Sequence, residues 1–208
     1  YDPEMKVPAT KAGITAGMSM TEKQGGSDVR AGTSQAVPND DGTYTLPGHK
    51  WFTSAAMSDV YLVLAQALGG LSCFFLPRAL PDGSRNRMRI QRLKNKLGNH
   101  ANASSEIEYD GATVWLVGEE GRGVPTIIEM VNMTRLDCTL GSATSMRQGL
   151  AMAIHHVQHR KAFGAYLIDQ PLMRNVVADL AVEAEAATIV AMRVAGAADA
   201  ATRGDERE

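Results

Sequence analysis

The sequence changes character near residue 118, and this change limits the folds that the chain can adopt. Residues 1–118 hold 13 of the 20 glycines and consist of short apolar or alternating runs separated by turn signals. Many short strands of this kind favour an antiparallel sandwich or barrel. Residues 119–208 are rich in Ala and Met and repeat their apolar residues with the period of a helix. We therefore predict an α+β chain with two domains, a β domain over 1–118 and long antiparallel helices over 119–208.

The expected strands lie between clusters of Gly, Pro, Asn and Asp, which favour turns. Two of these turn signals, Pro47-Gly48 and Asp110-Gly111, divide longer stretches into pairs of strands. The predicted strands are Ile14–Met20, Ala31–Val37, Thr43–Leu46, His49–Thr53, Tyr61–Gln66, Cys73–Leu76, Met88–Leu93, Ser105–Tyr109 and Thr113–Val117. Their spacing of about ten residues is typical of all-β domains.

The second half predicts two long helices, each with one apolar face. The second helix is expected to begin near Pro171, with Asp169 as its N-cap and the proline in its first turn. The apolar faces comprise Leu136, Leu140, Ala143, Leu150, Ile154 and Val157 in the first helix, and Met173, Val176, Val177, Leu180, Ala184, Ala187, Ala191 and Val194 in the second. Two helices cannot close a bundle alone. We therefore expect both an oligomer and a chain that belongs to a longer protein.

Charge and hydropathy argue against several classes of protein. The 21 basic and 23 acidic residues nearly balance, for a formal net charge of -2, which gives no global argument for binding nucleic acid or an acidic membrane. The most apolar stretch, residues 60–76, is interrupted by Gln66, two glycines and Ser72, so it is unsuited to spanning a membrane. The first residues lack the pattern of a signal peptide. These observations predict a soluble, cytoplasmic protein without a membrane partner.

The most informative segment is the loop Met18–Asp28, which leaves a predicted strand and enters a Gly-Gly-Ser-Asp turn. Paired glycines allow the backbone to approach a ligand closely, and successive N–H groups can hold a pyrophosphate. The hydroxyl groups of Thr21 and Ser27 can donate hydrogen bonds to phosphate or to the edge of a heterocycle. From these residues alone, a tight β-turn with polar side chains remains the alternative.

Three further segments point in the same direction. They are Gly48–Ser54, where aromatic residues meet two hydroxyl groups, Asn132–Leu136, and His159–Gly164 after the first helix. In order and spacing, these segments and the Gly-Gly-Ser-Asp loop resemble the acyl-CoA dehydrogenase family. The resemblance covers nearly the whole chain and is strongest to the AidB branch, the alkylation-response proteins. The segments most similar to that branch are residues 20–29, 69–75 and 92–99.

The resemblance implies a fold and a reaction. Members of the family have an N-terminal helical domain, a middle β domain and a C-terminal four-helix domain. This chain is therefore expected to be a fragment that holds the middle domain and an incomplete four-helix bundle. The implied cofactor is FAD, and the implied reaction is α,β-dehydrogenation of an acyl-CoA thioester. The alternative is a DNA-binding flavoprotein of the alkylation-damage response whose dehydrogenase activity is incidental.

The resemblance places no catalytic base within the chain. One subgroup of the family carries a catalytic glutamate at the position of Thr134, and the other family position for the base is expected beyond residue 208. Arg135 matches an arginine beside the acyl-CoA path and is the expected substrate contact. No metal is predicted, because His155 and His159 have no carboxylate or cysteine near them in the sequence.

The FAD contacts that the resemblance implies fall into two groups. In the first half, Thr21 would lie at the flavin edge, Ser27 at the phosphates, and Phe52 where many relatives have a ring-stacking Trp; a core aromatic is the alternative for Phe52. In the second half, Arg160 and Phe163 would reach FAD in a neighbouring subunit of a homodimer or homotetramer, because a guanidinium pairs well with a diphosphate. An exposed arginine at a helix end is the alternative for Arg160. The complete set is Met18, Ser19, Met20, Thr21, Glu22, Lys23, Gln24, Gly25, Gly26, Ser27, Phe52, Thr53, Ser54, Arg160 and Phe163.

A basic run without an intervening acid extends over residues 85–96, around the predicted strand Met88–Leu93. It consists of Arg85, Arg87, Arg89, Arg92, Lys94 and Lys96. Alternate residues would share a strand face, which would suit a patch that contacts the phosphates of DNA or of the CoA nucleotide. The favoured interpretation is a solvated face that protects a sheet edge, since no aromatic residues are interleaved for stacking on bases.

Overall fold

The chain folds into two compact units, which the computed structural model describes over residues 2–204. One unit comprises Tyr1–Glu129 and the other Met130–Glu208. Tyr1 and residues 205–208, the outer ends of the two predicted domains, lie outside the described residues. The first unit contains a β-barrel and the second consists mainly of helix, so the predicted α+β fold class is confirmed.

The first unit is built on one curved sheet. Its strands are β1 (Ala16–Ser19), β2 (Val37–Pro38), β3 (Tyr44–Ser54), β4 (Val60–Ala67), β5 (Gly70–Pro77), β6 (Met88–Leu93) and β7 (Ser104–Val117). Their order is β2-β3-β1-β4-β5-β7-β6, and an additional pairing of β3 with β7 closes the strands between them into a barrel. The short β2 and the basic β6 lie at the two edges. The pairings are antiparallel except that of β1 with β4, which the long connection through β3 allows to be parallel.

The barrel interior is filled by apolar side chains from alternate positions of the central strands. Tyr61 and Val63 of β4 pack there with Phe74 and Leu76 of β5 and Ile107 of β7, and each is almost completely buried. Burying a side chain of this size contributes about 1.5–3 kcal/mol. This core makes the barrel a firm support for the residues at the ends of its strands.

A second, smaller apolar group lies outside the barrel interior. It contains Leu64, Cys73 and Ile127, all buried. Ile127 belongs to the helix α1 (Gly123–His159), so the first turns of this helix pack with the first unit. Glu120, just before α1, accepts hydrogen bonds from the Tyr44 hydroxyl and the Gly69 amide, both at 2.8 Å. These contacts fix the start of α1 against the barrel.

Two of the predicted turns are wrong, because β3 and β7 each continue through them. Leu46 pairs with Ala112 and Pro47 with Asp110, which leaves Gly111 as an extra residue in β7. Gly111 has φ of 73°, and such a bulge accepts both the positive φ and a proline without an N–H group. The Pro47-Gly48 signal in β3 and the Asp110-Gly111 signal in β7 therefore belong to the same β-bulge.

The second unit contains most of α1 and all the described residues of a second long helix, as predicted. After α1, a hairpin of β8 (Lys161–Ala162) and β9 (Ala165–Tyr166) leads to α2 (Pro171–Arg203). Both helices line a groove whose residues are Leu140, Ala143, Thr144, Arg147, Gln148, Thr188, Ala191 and Met192. The groove residues of α1 and those of α2 lie at similar distances along the sequence from the hairpin that joins the helices. The two helices therefore run antiparallel, as predicted. Within residues 2–204, no helix has the length and hydropathy needed to cross a membrane.

The predicted apolar faces are observed fully in α1 and partly in α2. The six predicted residues of α1 are buried or half-buried, and most residues between them are exposed. In α2, Ala184 and Ala191 are buried, whereas Val176, Leu180 and Val194 are each more than 40% exposed. The buried face of α2 is therefore narrower than predicted and is lined by small side chains.

The start of α2 differs from the prediction in its cap. Pro171 occupies the first turn, as predicted. The prediction of Asp169 as the N-cap is wrong, because Gln170 takes that position and makes no capping bond with its side chain. Asp169 ends a short 3₁₀ turn, and its carboxylate lies 3.5 Å from Arg174 Nη2. It therefore pairs with a side chain instead of the free N–H groups of the helix.

Candidate functional site

Glu22 connects the Gly-Gly-Ser-Asp loop to the barrel. Its side chain is only 1% exposed. Glu22 Oε2 accepts hydrogen bonds from the amide and hydroxyl of Thr33, at 2.6 and 3.0 Å, and Oε1 accepts one from the Ser34 amide at 3.1 Å. Lys50 of β3 completes the set, with Nζ 2.7 Å from Glu22 Oε1. The carboxylate therefore joins three segments of the first unit.

The charged form of Glu22 is strongly favoured. Burial alone favours the neutral acid, but the hydrogen bonds from Lys50, Thr33 and Ser34 outweigh it and lower the pKa of Glu22 to about 2. Burial also lowers the pKa of Lys50, and the carboxylate of Glu22 opposes that shift. The two groups form a buried ion pair that is closed to solvent. Glu22 is therefore unsuited to accept a proton from a ligand.

The residues after Glu22 form the exposed part of the loop. The Gly25 amide donates to the Glu22 carbonyl at 3.0 Å, and Gly25 has φ of 122°, a conformation that favours glycine. A Cβ atom on Gly26 would lie 2.7 Å from Thr21 Oγ1, so the turn folds back closely on Thr21. Ser27 is exposed and Thr21 half-buried. The loop presents hydroxyl groups and glycine backbone to solvent, which suits a phosphate or a heterocycle edge.

Two hydrogen bonds donated by backbone amides hold this loop against β3. The Trp51 amide donates to the Thr21 carbonyl at 2.8 Å. The Lys23 amide donates to His49 Nε2 at 3.2 Å. The loop and the Gly48–Ser54 segment are therefore adjacent, on either side of the ion pair formed by Glu22.

Ser19 and Thr53 face the interior of the barrel. Both are completely buried, and their hydroxyl groups hydrogen-bond to each other. Tyr109 donates a further hydrogen bond to Ser19 Oγ at 3.0 Å, and burial raises the pKa of Tyr109. Met18 and Met20 pack against the second apolar group of the barrel. The side chains of these residues are thus already engaged within the protein.

Phe52 and Ser54 lie at the end of β3 with exposed side chains. Phe52 is 46% exposed, so the alternative of a core aromatic is wrong for this residue. The backbone turns sharply after Ser54, since Ala55 has φ of 51°. The end of β3 therefore offers an aromatic ring and a hydroxyl group to solvent beside the Gly-Gly-Ser-Asp loop.

Trp51 is an aromatic residue of the same segment for which the sequence analysis predicted no separate role. Lys94 Nζ lies 3.5 Å from the centre of a Trp51 ring and 4.4 Å from that of Phe52. Arg92 and Lys23 lie 5.6 and 5.9 Å from Trp51. Cations attract the face of an indole ring strongly. The alternation of β3 could not place Trp51, because a register shift between Lys50 and Thr53 interrupts it.

Part of the basic run is neutralised at the sheet edge. Arg92 Nε and Lys94 Nζ lie 2.6 and 2.7 Å from Glu106 Oε1. Lys96 donates to the Asn99 carbonyl at 2.6 Å. The run includes the edge strand β6, which supports the edge-protecting interpretation for these residues.

The remaining predicted residues belong to the second unit. Arg135 and Thr134 are exposed on α1, and Arg160 is exposed directly after it. The rings of His155 and His159 stack, with their centroids 4.3 Å apart. Among residues 2–204, no group of three His, Cys, Asp or Glu side chains could hold a metal ion.

Phe163 occupies a strained position at the tip of the β8–β9 hairpin. Ala162 pairs with Ala165, so Phe163 and Gly164 alone form the turn. Their φ angles are 53° and 79°, which corresponds to a type I′ turn. A positive φ is unfavourable for a bulky residue such as phenylalanine, and the side chain is 99% exposed. Neither local conformation nor burial within this unit explains an aromatic residue at this position.

Phe163→Asn is expected to stabilise the chain by about 0.5–1 kcal/mol, because Asn-Gly suits a type I′ turn and removes the strain. Urea unfolding measures the change. Leu68→Asn is the matched control, since Leu68 is 88% exposed next to a glycine and does not have a positive φ. An equal gain in the control, or no gain in Phe163→Asn, would show that backbone strain at Phe163 is absent.

Comparison with known proteins places both units in one family. The family described as acyl-CoA dehydrogenase, middle domain, matches residues 17–112. The family described as acyl-CoA dehydrogenase, C-terminal domain, matches residues 121–207. The chain is 51% identical over 208 residues to AidB of Escherichia coli (strain K12), an alignment that covers 100% of this chain and 38% of that protein.

Two solved structures share the fold. The structure described as Bd2924 apo-form has a TM-score of 0.82 and 33% identity, and the match covers 92% of this chain and 40% of that chain. Caenorhabditis elegans ACDH-11 in complex with C11-CoA has a TM-score of 0.74 and 36% identity, over 88% of this chain and 34% of that chain. This chain therefore spans less than half the length of these relatives. The resemblance seen in the sequence is confirmed, and the chain belongs to the acyl-CoA dehydrogenase family, with matches to its middle and C-terminal domains.

Proposed function

We propose that this chain is the FAD-binding part of an AidB-like oxidoreductase that acts on the CH–CH group of an acyl-CoA thioester. The observation that carries the proposal is the turn from Gly25 to Ser27, exposed at Gly26 and Ser27, which the buried Glu22 carboxylate holds beside the aromatic end of β3. A loop of this kind, with glycine backbone and hydroxyl groups facing outward, suits an extended ligand with a pyrophosphate and a flat ring.

The residues present fit FAD. In the proposal, Ser27 and the backbone of Gly25 and Gly26 hold the phosphates, and Thr21 donates to the edge of the flavin. The exposed Phe52 and Ser54 line the ring, while Met18, Met20, Lys23 and Gln24 complete the loop around it. Ser19, Glu22 and Thr53 contribute by positioning the backbone, because their side chains are partnered inside the barrel.

Bound FAD would accept the hydride that leaves the β-carbon of the acyl thioester. The chain's own contribution is to bind the cofactor, orient it and shield it from water. Arg135, exposed on α1, is proposed to contact acyl-CoA. We nominate no residue of this chain as the base that removes the α-proton, because Thr134 cannot act as a carboxylate and the buried Glu22 is closed to solvent.

We further propose a homo-oligomer in which the β8–β9 hairpin of one subunit reaches FAD of its neighbour. Arg160 would pair with the diphosphate, and the exposed Phe163 would find the apolar contact that it lacks within its own unit. This arrangement accounts for an aromatic residue that is both strained and fully exposed. It also makes cofactor binding depend on association.

The proposal predicts that the purified chain retains added FAD on a sizing column, in a dimer or larger species with a flavin absorption spectrum. Ser27→Ala is expected to weaken FAD binding about tenfold, because one hydrogen bond to a charged phosphate is lost. Ser84→Ala is the matched control, since Ser84 is an exposed serine in another turn. Its FAD affinity should stay within about twofold of the parent chain, the range of a change worth less than 0.5 kcal/mol.

Three outcomes would contradict the proposal. If Ser27→Ala and Ser84→Ala weakened FAD binding equally, the loop would not be part of the FAD site. If a monomer bound FAD as tightly as the oligomer, Arg160 would have no role in binding FAD of a neighbouring subunit. A colourless chain, together with an equally colourless chain extended to the length of its relatives, would exclude a flavoprotein.

A further inference from the structure

A cavity of the first unit lies away from the Gly-Gly-Ser-Asp loop. It has a volume of about 540 Å³, within the range of small-ligand sites. It is bounded by β6, by the connection from β5 to β6, and by Met5 near the start of the chain. No residue from Met18 to Ser27 lines this cavity, so the proposed flavin site does not account for it.

Positive charge converges on this cavity from separate elements. Arg78 follows β5, Arg85 lies in the connection, and Arg89 lies in β6, while Glu108 is the one acidic residue that lines it among residues 2–204. The charge of the lining is therefore three minus one, or +2. Such an excess around a concave site favours an anion more strongly than the same charge on a flat surface.

The three arginines differ in how firmly they are held. Arg78 Nη1 donates to the Met57 carbonyl at 2.7 Å, so its guanidinium is already oriented. Arg89 Nη2 lies 3.5 Å from Asp110 Oδ2, and both side chains are exposed, so this pair is weak. Within residues 2–204, no hydrogen bond or ion pair of the exposed Arg85 side chain is observed. Arg85 is thus available to a ligand, and Arg89 has only its weak pair with Asp110 to give up.

Part of the lining is apolar. Met88 and Ile90 of β6 contribute to it, together with Met5 and Ala56, and Ile90 is 49% exposed. Guanidinium groups pair with phosphate, while an apolar wall packs against a flat ring. We propose that this cavity is a second ligand site, which binds a small phosphate-bearing molecule of the nucleotide class.

Edge protection alone does not explain this arrangement. A basic edge strand needs charges that face solvent along its own length. Arg78 is not part of the basic run, and it reaches the same cavity from the end of β5. The alternate residue Arg87 does not line the cavity, although it is an exposed arginine between Arg85 and Arg89. A substitution of Arg87 therefore distinguishes binding in the cavity from general electrostatic attraction to the basic run.

Calorimetric titration of the whole chain with ADP in low salt tests the proposal. ADP is expected to bind, and Arg85→Gln to weaken binding about tenfold through loss of one charged hydrogen-bonding group. Arg89→Gln should weaken it in the same direction. Arg87→Gln should change it less than about twofold, because Arg87 does not line the cavity and acts on a ligand there only through a solvent-screened charge. Adenosine, which lacks phosphate, should show at least tenfold weaker binding than ADP.

Each opposite result overturns the proposal. If Arg85→Gln and Arg87→Gln weakened ADP binding equally, the basic residues would act as a diffuse charged surface and not as a cavity site. The same conclusion would follow if a DNA duplex bound more tightly than ADP and both substitutions weakened DNA binding equally. Adenosine binding as tightly as ADP would exclude a phosphate site. Absence of ADP binding by a chain with an unchanged circular dichroism spectrum would exclude the site altogether.

Discussion

Glu22→Gln is expected to lower the free energy of unfolding by about 3 kcal/mol, since removal of one partner from a buried ion pair leaves the other charge uncompensated. Lys50 is 2% exposed and its Nζ lies 2.7 Å from the carboxylate that would be replaced. The substitution also weakens the hydrogen bonds from Thr33 and Ser34, which fix the loop. Urea unfolding at neutral pH measures the effect.

Glu119→Gln provides the matched control for this prediction. Glu119 pairs with Arg122 at 3.9 Å with both side chains more than 60% exposed, so its loss should change stability by less than about 0.5 kcal/mol. The double substitution of Glu22→Gln with Lys50→Met should cost less than the sum of the single changes, because no buried charge remains. Additive costs, or a Glu22→Gln cost no larger than that of Glu119→Gln, would contradict this account of the loop.

The same pair gives a pH dependence of defined sign. The pKa of Glu22 is about 2 in the folded chain and 4.5 as an unperturbed group, so the unfolded state binds the proton first as pH falls. The stabilisation from Glu22 is therefore fully present above pH 4.5 and is lost as pH falls from there towards 2. Glu22→Gln should show a shallower decline of stability over this range than the parent chain.

Gly17→Ala is expected to destabilise the chain by about 1–3 kcal/mol, because the added Cβ atom has no room. It would collide with the Ser54 carbonyl oxygen and lie 2.8 Å from the ring of Tyr61, which is itself buried. Relief requires β1 to move away from the end of β3. Since β1 leads into the Gly-Gly-Ser-Asp loop, we expect FAD retention to fall together with stability.

Gly13→Ala is the control for crowding at Gly17. Within residues 2–204, no atom outside Gly13 and its two chain neighbours lies within 4 Å of a Cβ built on Gly13, and Gly13 too precedes the loop. This substitution should change the free energy of unfolding by less than about 0.5 kcal/mol and leave FAD retention unchanged. A Gly17→Ala chain as stable as Gly13→Ala would show that the contact between β1 and β3 is looser than the structure indicates.

Much of the fold follows from sequence patterns that are local. The predicted strand Met88–Leu93 coincides with β6, and Tyr61–Gln66 and Cys73–Leu76 lie within β4 and β5. The apolar spacing of α1 likewise identified its less exposed face. These elements were predictable because alternation and helical period express burial directly. The Pro47-Gly48 signal was misleading because a bulge and a turn use the same residue types.

The sequence identified the segments that form the candidate site, but it did not predict the orientation of their side chains. The motif located the loop, and the structure brings it next to the end of β3. Sequence alone did not show that Glu22 faces inward, because its partner Lys50 lies 28 positions away. The same is true of Ser19 and Thr53, whose mutual hydrogen bond depends on strand pairing. Pairing between distant strands decides which polar groups are left for a ligand.

The pairing of β3 with β7, which closes the barrel, also governs the order in which the chain can assemble. The residues of β3 near Tyr44 pair with residues of β7 near Val114, so the barrel cannot close until most of the first unit has been synthesised. Contacts between such distant positions carry a large loop-closure entropy and slow the search for the native pairing. Until then β3 has an unpaired side, and the proline and glycine at its centre make that strand a poor template for other chains.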